Sequence, residues 1–236
     1  MKISYSRLAE YAECPRRYFY RYVQGRSLPK QSEEMTLGSV FHELLKFILS
    51  PSLLPPTYMD AENHLRSLLS GKLGAEQMEE ALALGRKVIE NLLQEDTSTI
   101  LAIEFSFSLP LGRHIINGRM DRVDRHKNGE LEIIEYKLRA TIKGKDNLQL
   151  ALYHLAAESI WHPPSIKLTL VSFMDNEKSS FYLDENEIIE GRERIIHLAS
   201  GIEREDFTPL RGNHCFNCPF YTVCFKEIPP ERESLL

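Results

Sequence analysis

One short stretch constrains this chain more than any other. Asp121 lies in Gly118-Arg119-Met120-Asp121-Arg122-Val123-Asp124, and Glu135 and Lys137 lie in Leu131-Glu132-Ile133-Ile134-Glu135-Tyr136-Lys137. Residues 103–108, 115–119, 120–125 and 131–137 are short runs rich in β-branched and aromatic side chains, the composition of strands. Lys127-Asn128-Gly129 reads as a hairpin turn, because Asn-Gly accepts positive φ. The hairpin would bring Asp121 back near Glu135. Side chains alternate along a strand, so Glu135 and Lys137 leave the same face. Two carboxylates hold a hard divalent cation, and an ammonium beside them can steer a water or steady a developing charge. The set suits metal-assisted cleavage of a phosphodiester, although an ordinary surface hairpin can carry the same letters.

Further features flank this stretch. Gly38-Ser39-Val40-Phe41-His42 opens a helix over 38–49, with Thr36 as its N-cap. His42 precedes Leu44, Leu45 and Ile48 at helical spacing, so it is either a structural histidine or a ligand. Downstream, a helix is expected over 147–161, where Gln149 and Tyr153 share a face. The four cysteines are Cys14 and a Cys-x2-Cys-x5-Cys trio of Cys215, Cys218 and Cys224. Four thiols suit a zinc ion or an iron–sulfur cluster, with two disulfides as the alternative and His214 as a substitute ligand.

The Asp, hairpin and Glu-x-Lys succession resembles the PD-(D/E)XK nuclease superfamily, with Met120 where the Pro of that name would stand. Gly38-x-x-x-His42 is similar to the first motif of its RecB-like branch, and Gln149-x-x-x-Tyr153 to a later one. Cys14-Pro15-Arg16-Arg17-Tyr18-Phe19-Tyr20 and Cys218-Pro219-Phe220 resemble the entry and exit of the iron–sulfur staple in AddB-type and CRISPR-associated adaptation nucleases. The resemblance covers residues 4–226, in five motifs in the family's order.

What the resemblance implies can be stated residue by residue. The fold would be α/β, a PD-(D/E)XK restriction-endonuclease-like core of a mixed central sheet flanked by helices, with a helical insertion and a four-cysteine staple. His42, Asp121, Glu135 and the carbonyl of Tyr136 would hold Mg²⁺ or Mn²⁺. Lys137 would orient the attacking water, and Gln149 and Tyr153 would line the nucleic-acid side. Cys14, Cys215, Cys218 and Cys224 would bind a [4Fe-4S] cluster. The implied activity is a DNA exonuclease or end-processing enzyme acting on single strands or strand ends, in repair or recombination. A nuclease that trims spacer precursors during CRISPR adaptation, beside an integrase, shares every motif. A non-catalytic DNA-binding module is the rival of another class, and it has no need of the clustered carboxylates. No Gly-x4-Gly-Lys-Ser/Thr loop is present, so any helicase motor would come from a partner.

Composition bounds the rest. A chain of 236 residues, 42% hydrophobic, suits one domain. Its parts would be N-terminal helices at 1–37, a helical part at 38–99, the nuclease core at 100–205 and a cluster segment at 206–236. No apolar stretch has the length of a membrane span and no signal-peptide pattern opens the chain, so a soluble cytoplasmic protein is expected. A net charge of −5 disfavours nucleic-acid binding over the whole surface and directs attention to local clusters. Arg16, Arg17, Arg21, Arg26 and Lys30 interleave with Tyr18, Phe19, Tyr20 and Tyr22, while Arg139, Lys143 and Lys145 follow Lys137. Both groups could meet phosphates. The aromatics could stack on bases or pack the first helix into the core. Further helices are expected at 59–69 and 75–94, strands at 166–173 and 179–183, and a helix to 204 opened by the capping pair Asp184 and Glu187.

Overall fold

The computed structural model describes residues 1–27, 33–139 and 148–228. Lys30, Lys143, Lys145 and Asn147 lie outside them. The chain divides into two compact units, a terminal one of Met1–Lys30, Pro110–Asn117 and Arg192–Leu236, and a central one of Gln31–Leu109 and Gly118–Gly191.

The central unit is built on strands β2 (Ile100–Leu111), β3 (His114–Arg125), β4 (Leu131–Lys137), β5 (Ile166–Ser172) and β6 (Lys178–Phe181). β2 pairs with β3, β3 and β4 are antiparallel, β4 and β5 parallel, and β5 and β6 antiparallel, which makes the sheet mixed. The hairpin between β3 and β4 closes at 127–129 as the sequence predicts, with Gly129 at φ 87 and His126 N–H bonded to Glu130 C=O at 2.9 Å. Residues 115–119 and 120–125, expected as two strands, run on as the single strand β3. Gly118 within it lies against the Phe107 ring, where any Cβ would come to 2.3 Å of the ring.

Helices α3 (Glu33–Leu49), α4 (Tyr58–Leu69) and α5 (Ala75–Leu93) cover one sheet face. Their apolar stripes, including Phe41, Leu45, Leu65 and Ile89, form a buried cluster with Ile134, Tyr136, Val171 and Phe173. The opposite face, with Ile133 and Glu135, meets α6 (Leu148–Trp161), which is buried on nearly every side along its first ten residues. α3 begins at Glu33, so Thr36 is inside the helix and not its N-cap. The expected start at Gly38 fails because Gly38, with nothing crowding it, is tolerated in a helix interior.

In the terminal unit, β1 (Lys2–Ser4) pairs in parallel with Ile115–Asn117. α1 (Tyr5–Glu13) stops at Cys14, and Pro15 opens α2 (Pro15–Tyr18), with Cys14 as its N-cap. A π-helical turn, Phe19–Val23, follows. α7 (Glu185–Glu203) starts in the central unit with the expected reciprocal cap, Glu187 N–H to Asp184 Oδ1 at 2.9 Å and Asp184 N–H to Glu187 Oε2 at 2.8 Å. From Arg192 onward it belongs to the terminal unit, where the Tyr11 hydroxyl donates to Asp206 C=O at 2.6 Å. A 3-10 turn (Asn213–Asn217) and α8 (Tyr221–Glu227) carry the cysteine trio.

Candidate active site

Register places Arg122 opposite Ile134, so Asp121 lies beside Glu135. The N–H of Tyr136 bonds Asp121 Oδ2 at 2.8 Å, which orients the carboxylate. Glu135 is almost fully buried and its oxygens are engaged. Oε1 accepts from Lys137 Nζ at 2.6 Å and Gln149 Nε2 at 2.7 Å, and Oε2 accepts from the Tyr153 hydroxyl at 3.0 Å. Lys137 Nζ also reaches Gln149 Oε1 at 2.9 Å, and Tyr153 reaches the carbonyl of Arg119 at 2.5 Å. Gln149 and Tyr153 stand one helical turn apart on α6, so both reach the sheet at one point. Glu135, Lys137, Gln149 and Tyr153 are therefore one hydrogen-bonded group.

Asp121 belongs to a second group. His42 Nδ1 lies 3.5 Å from Asp121 Oδ1 and 4.0 Å from Glu104 Oε1. One ligand-type atom from each of His42, Glu104 and Asp121 falls within 4.8 Å of the others. His42 Nδ1 and Glu104 Oε1 are buried without any hydrogen-bond partner. Such atoms are costly unless something satisfies them. Burial, and then the neighbouring Glu135 charge, pushes the Asp121 carboxyl up to about 9. Burial likewise raises Glu104 and lowers His42, which keeps the imidazole neutral. A divalent cation would relieve all of this at once, so the residues fit one. Imidazole with carboxylates suits Mn²⁺ as well as Mg²⁺.

One addition to the expected ligand set stands out: Glu104 joins His42 and Asp121. The oxygens of Glu135 accept from three donors. Tyr136, expected to contribute its backbone carbonyl, gives its N–H to Asp121, and its ring lies on the opposite sheet face with its hydroxyl 3.5 Å from Arg122 Nη1. Glu104 was missed because nothing follows it at a motif's spacing. Its signal was available: it is the only charged residue in the strand Ile-Leu-Ala-Ile-Glu-Phe-Ser-Phe-Ser-Leu-Pro-Leu. It also adopts φ 54, rare for a residue with a Cβ and a mark of backbone held for a purpose.

The cysteines converge too. Cys14, Cys215, Cys218 and Cys224 all line one cavity of about 30 Å³ in the terminal unit. They are free thiols, and burial raises Cys218 and Cys224. The arginines around them differ from expectation. Arg16 and Arg26 pair with Glu227 at 2.8 and 3.2 Å, Arg17 with Glu10 and Glu13 at 2.7 and 2.6 Å, and Arg21 with Glu10 at 2.6 Å. Tyr18 and Tyr20 are buried, and Tyr18 stacks on Phe207 at 6.1 Å. The two tyrosines belong to the unit's core, and the four arginines are held by carboxylates of the same unit.

Comparison with known proteins bears on the fold and the family. No curated protein sequence matches. Among solved structures, the chain is similar to a protein from Eubacterium rectale assigned provisionally as an exonuclease, at 12% identity and TM-score 0.60, covering 91% of this chain and 86% of that one. It also aligns with SSO0001 at 17% identity and TM-score 0.44, covering 96% and 87%. The family model for the PD-(D/E)XK nuclease superfamily matches residues 2–225. The chain belongs to that superfamily and is a nuclease, a hydrolase of phosphodiester bonds.

Proposed function

We propose that this nuclease cuts DNA, acting on single strands or strand ends, with His42, Glu104 and Asp121 holding Mg²⁺ or Mn²⁺. The observation that carries the reading is the pair of orphaned buried atoms, His42 Nδ1 and Glu104 Oε1, facing Asp121. These residues would hold the cation, which would supply polarisation of the phosphate and a more acidic water. Glu135 and Gln149 hold the Lys137 ammonium by two of its donors, and its third orients the attacking water. Tyr153, kept protonated by burial and the Glu135 charge, locks Glu135 in place. Water oxygen bonds to phosphorus and releases a proton to solvent, the bridging P–O bond breaks, and the departing oxygen takes a proton from solvent. The test is Mn²⁺-dependent degradation of 5′- and 3′-labelled single and double strands. A protein that binds Mn²⁺ and leaves every strand intact would refute the reading.

The same proposal includes a [4Fe-4S] cluster on Cys14, Cys215, Cys218 and Cys224, within one nuclease domain. Support comes from the cavity that the four cysteines share. A brown protein absorbing near 400 nm after anaerobic purification, with equal iron and sulfide, is the expected outcome. One zinc per colourless chain would remove the cluster and leave the nuclease reading intact.

A further inference from the structure

Arg119 has no part in the scheme above, yet it touches both of its groups. It lies two residues before Asp121 on β3. Its backbone carbonyl accepts the Tyr153 hydroxyl at 2.5 Å, which ties its position to the group around Glu135. Its guanidinium Nε bonds Glu104 Oε2 at 2.7 Å, while its side chain stays 59% exposed. Glu104 therefore faces two ways: Oε2 towards a solvent-exposed guanidinium, and Oε1, buried and unpartnered, towards His42 and Asp121.

One carboxylate cannot serve both sides equally. A divalent cation at Oε1 draws charge away from Oε2 and repels the nearby guanidinium. A guanidinium loosened from a carboxylate has a natural alternative partner in a phosphodiester, whose two free oxygens match its planar fork. Its exposure lets it swing without unpacking anything. We propose that Arg119 is a substrate-phosphate clamp, held on Glu104 when the site lacks a cation and transferred to the phosphodiester when His42, Glu104 and Asp121 bind one. The substrate class rests on the nuclease reading above.

The exchange has a signature that a structural ion pair lacks: binding and cleavage move in opposite directions. Mn²⁺ affinity is measured by calorimetry, and kcat and KM on labelled single-stranded DNA, for wild type, Arg119→Ala, Arg119→Lys and Glu104→Gln. Arg119→Ala is expected to bind Mn²⁺ about fivefold more tightly, as a competing pair is removed. It should cleave about 10- to 100-fold less efficiently, chiefly through KM, as a charge-assisted phosphate contact is lost. Arg119→Lys should restore wild-type Mn²⁺ affinity but only part of the cleavage. Glu104→Gln should weaken Mn²⁺ binding. Arg119→Ala that binds Mn²⁺ no more tightly than wild type, or cleaves as well, overturns the proposal, as does Glu104→Gln with unchanged Mn²⁺ binding. If wild type bound Mn²⁺ but cut nothing, the nuclease reading would fail, and tighter Mn²⁺ binding by Arg119→Ala would still uphold the exchange at Glu104.

Discussion

The first helices and the site around Asp121 make opposite use of charge. In α1 and α2, buried Glu10 receives both Arg17 and Arg21, and Glu227 receives Arg16, Arg26 and the Tyr20 hydroxyl at 2.7 Å. Every one of these charged groups has an ionic partner on its own unit, and only Arg16 Nε among their atoms is buried without a hydrogen bond. At the site, two buried polar atoms that face each other's groups have none and a carboxyl is driven far above its ordinary range. Charge that is paired builds structure. Charge left unpaired in a buried place waits for something from outside. Both kinds occur within β3 itself: Asp121 faces the unsatisfied cluster, while its neighbour Arg122 is fully buried and held by Asp124 at 2.7 Å twice, by Glu95 at 3.1 Å and by Asp96 C=O at 3.1 Å.

That contrast yields ordered predictions. The largest effect is expected from Asp121→Asn. Cleavage should fall at least about 10³-fold, because residues that act as a unit fail together. Mn²⁺ binding should be lost, yet the metal-free protein should melt higher than wild type, since a neutral amide replaces a carboxylate that burial resists ionising. A lower metal-free Tm would place Asp121 with the structural charges.

Arg122→Ala should do the reverse of Asp121→Asn. It strands Asp124 in the interior and should cost about 3–5 kcal/mol in urea unfolding. A loss under about 1 kcal/mol would show that this network is held by packing instead. Glu10→Ala frees two arginines that can turn to water, so the cost should be nearer 1–2 kcal/mol, with Mn²⁺ affinity unchanged. A shift in Mn²⁺ affinity on that change would break the division between the two kinds of charge.

The remaining prediction is in pH. The Asp121 carboxyl is raised by folding, so the folded state binds the extra proton and stability falls as pH rises from about 4 towards 9. Melting metal-free wild type and Asp121→Asn side by side should show the gap between them widening over that window. Saturating Mn²⁺ should reverse the trend in wild type. Parallel curves would mean that Asp121 ionises in the metal-free protein without penalty.

Much of this molecule was legible from the chain alone. Local rules placed the hairpin at Asn128-Gly129 and the cap at Asp184 and Glu187. Period-two alternation put Glu135 and Lys137 on one face, and period 3.6 put Gln149 and Tyr153 on another. Each is a property of neighbours in sequence, so each could be read there. The start of α3 could not, because a tolerated Gly38 leaves no local boundary. The basic, aromatic opening was ambiguous for a related reason: Arg16 and Arg26 find their carboxylate partner at Glu227, some 200 residues away by number.

What only the tertiary structure decided is which charges remain unmatched. The sequence by itself determined that carboxylates, a lysine, a histidine and four thiols would be present, and on which elements. It did not determine that Glu104 leaves β2 at a left-handed φ to face His42, or that Glu135 is occupied by Lys137, Gln149 and Tyr153. Ligand capacity depends on what every neighbouring donor and acceptor is already doing. That sum runs over residues from α3, β2, β3, β4 and α6 at once, and only folding brings its members within reach.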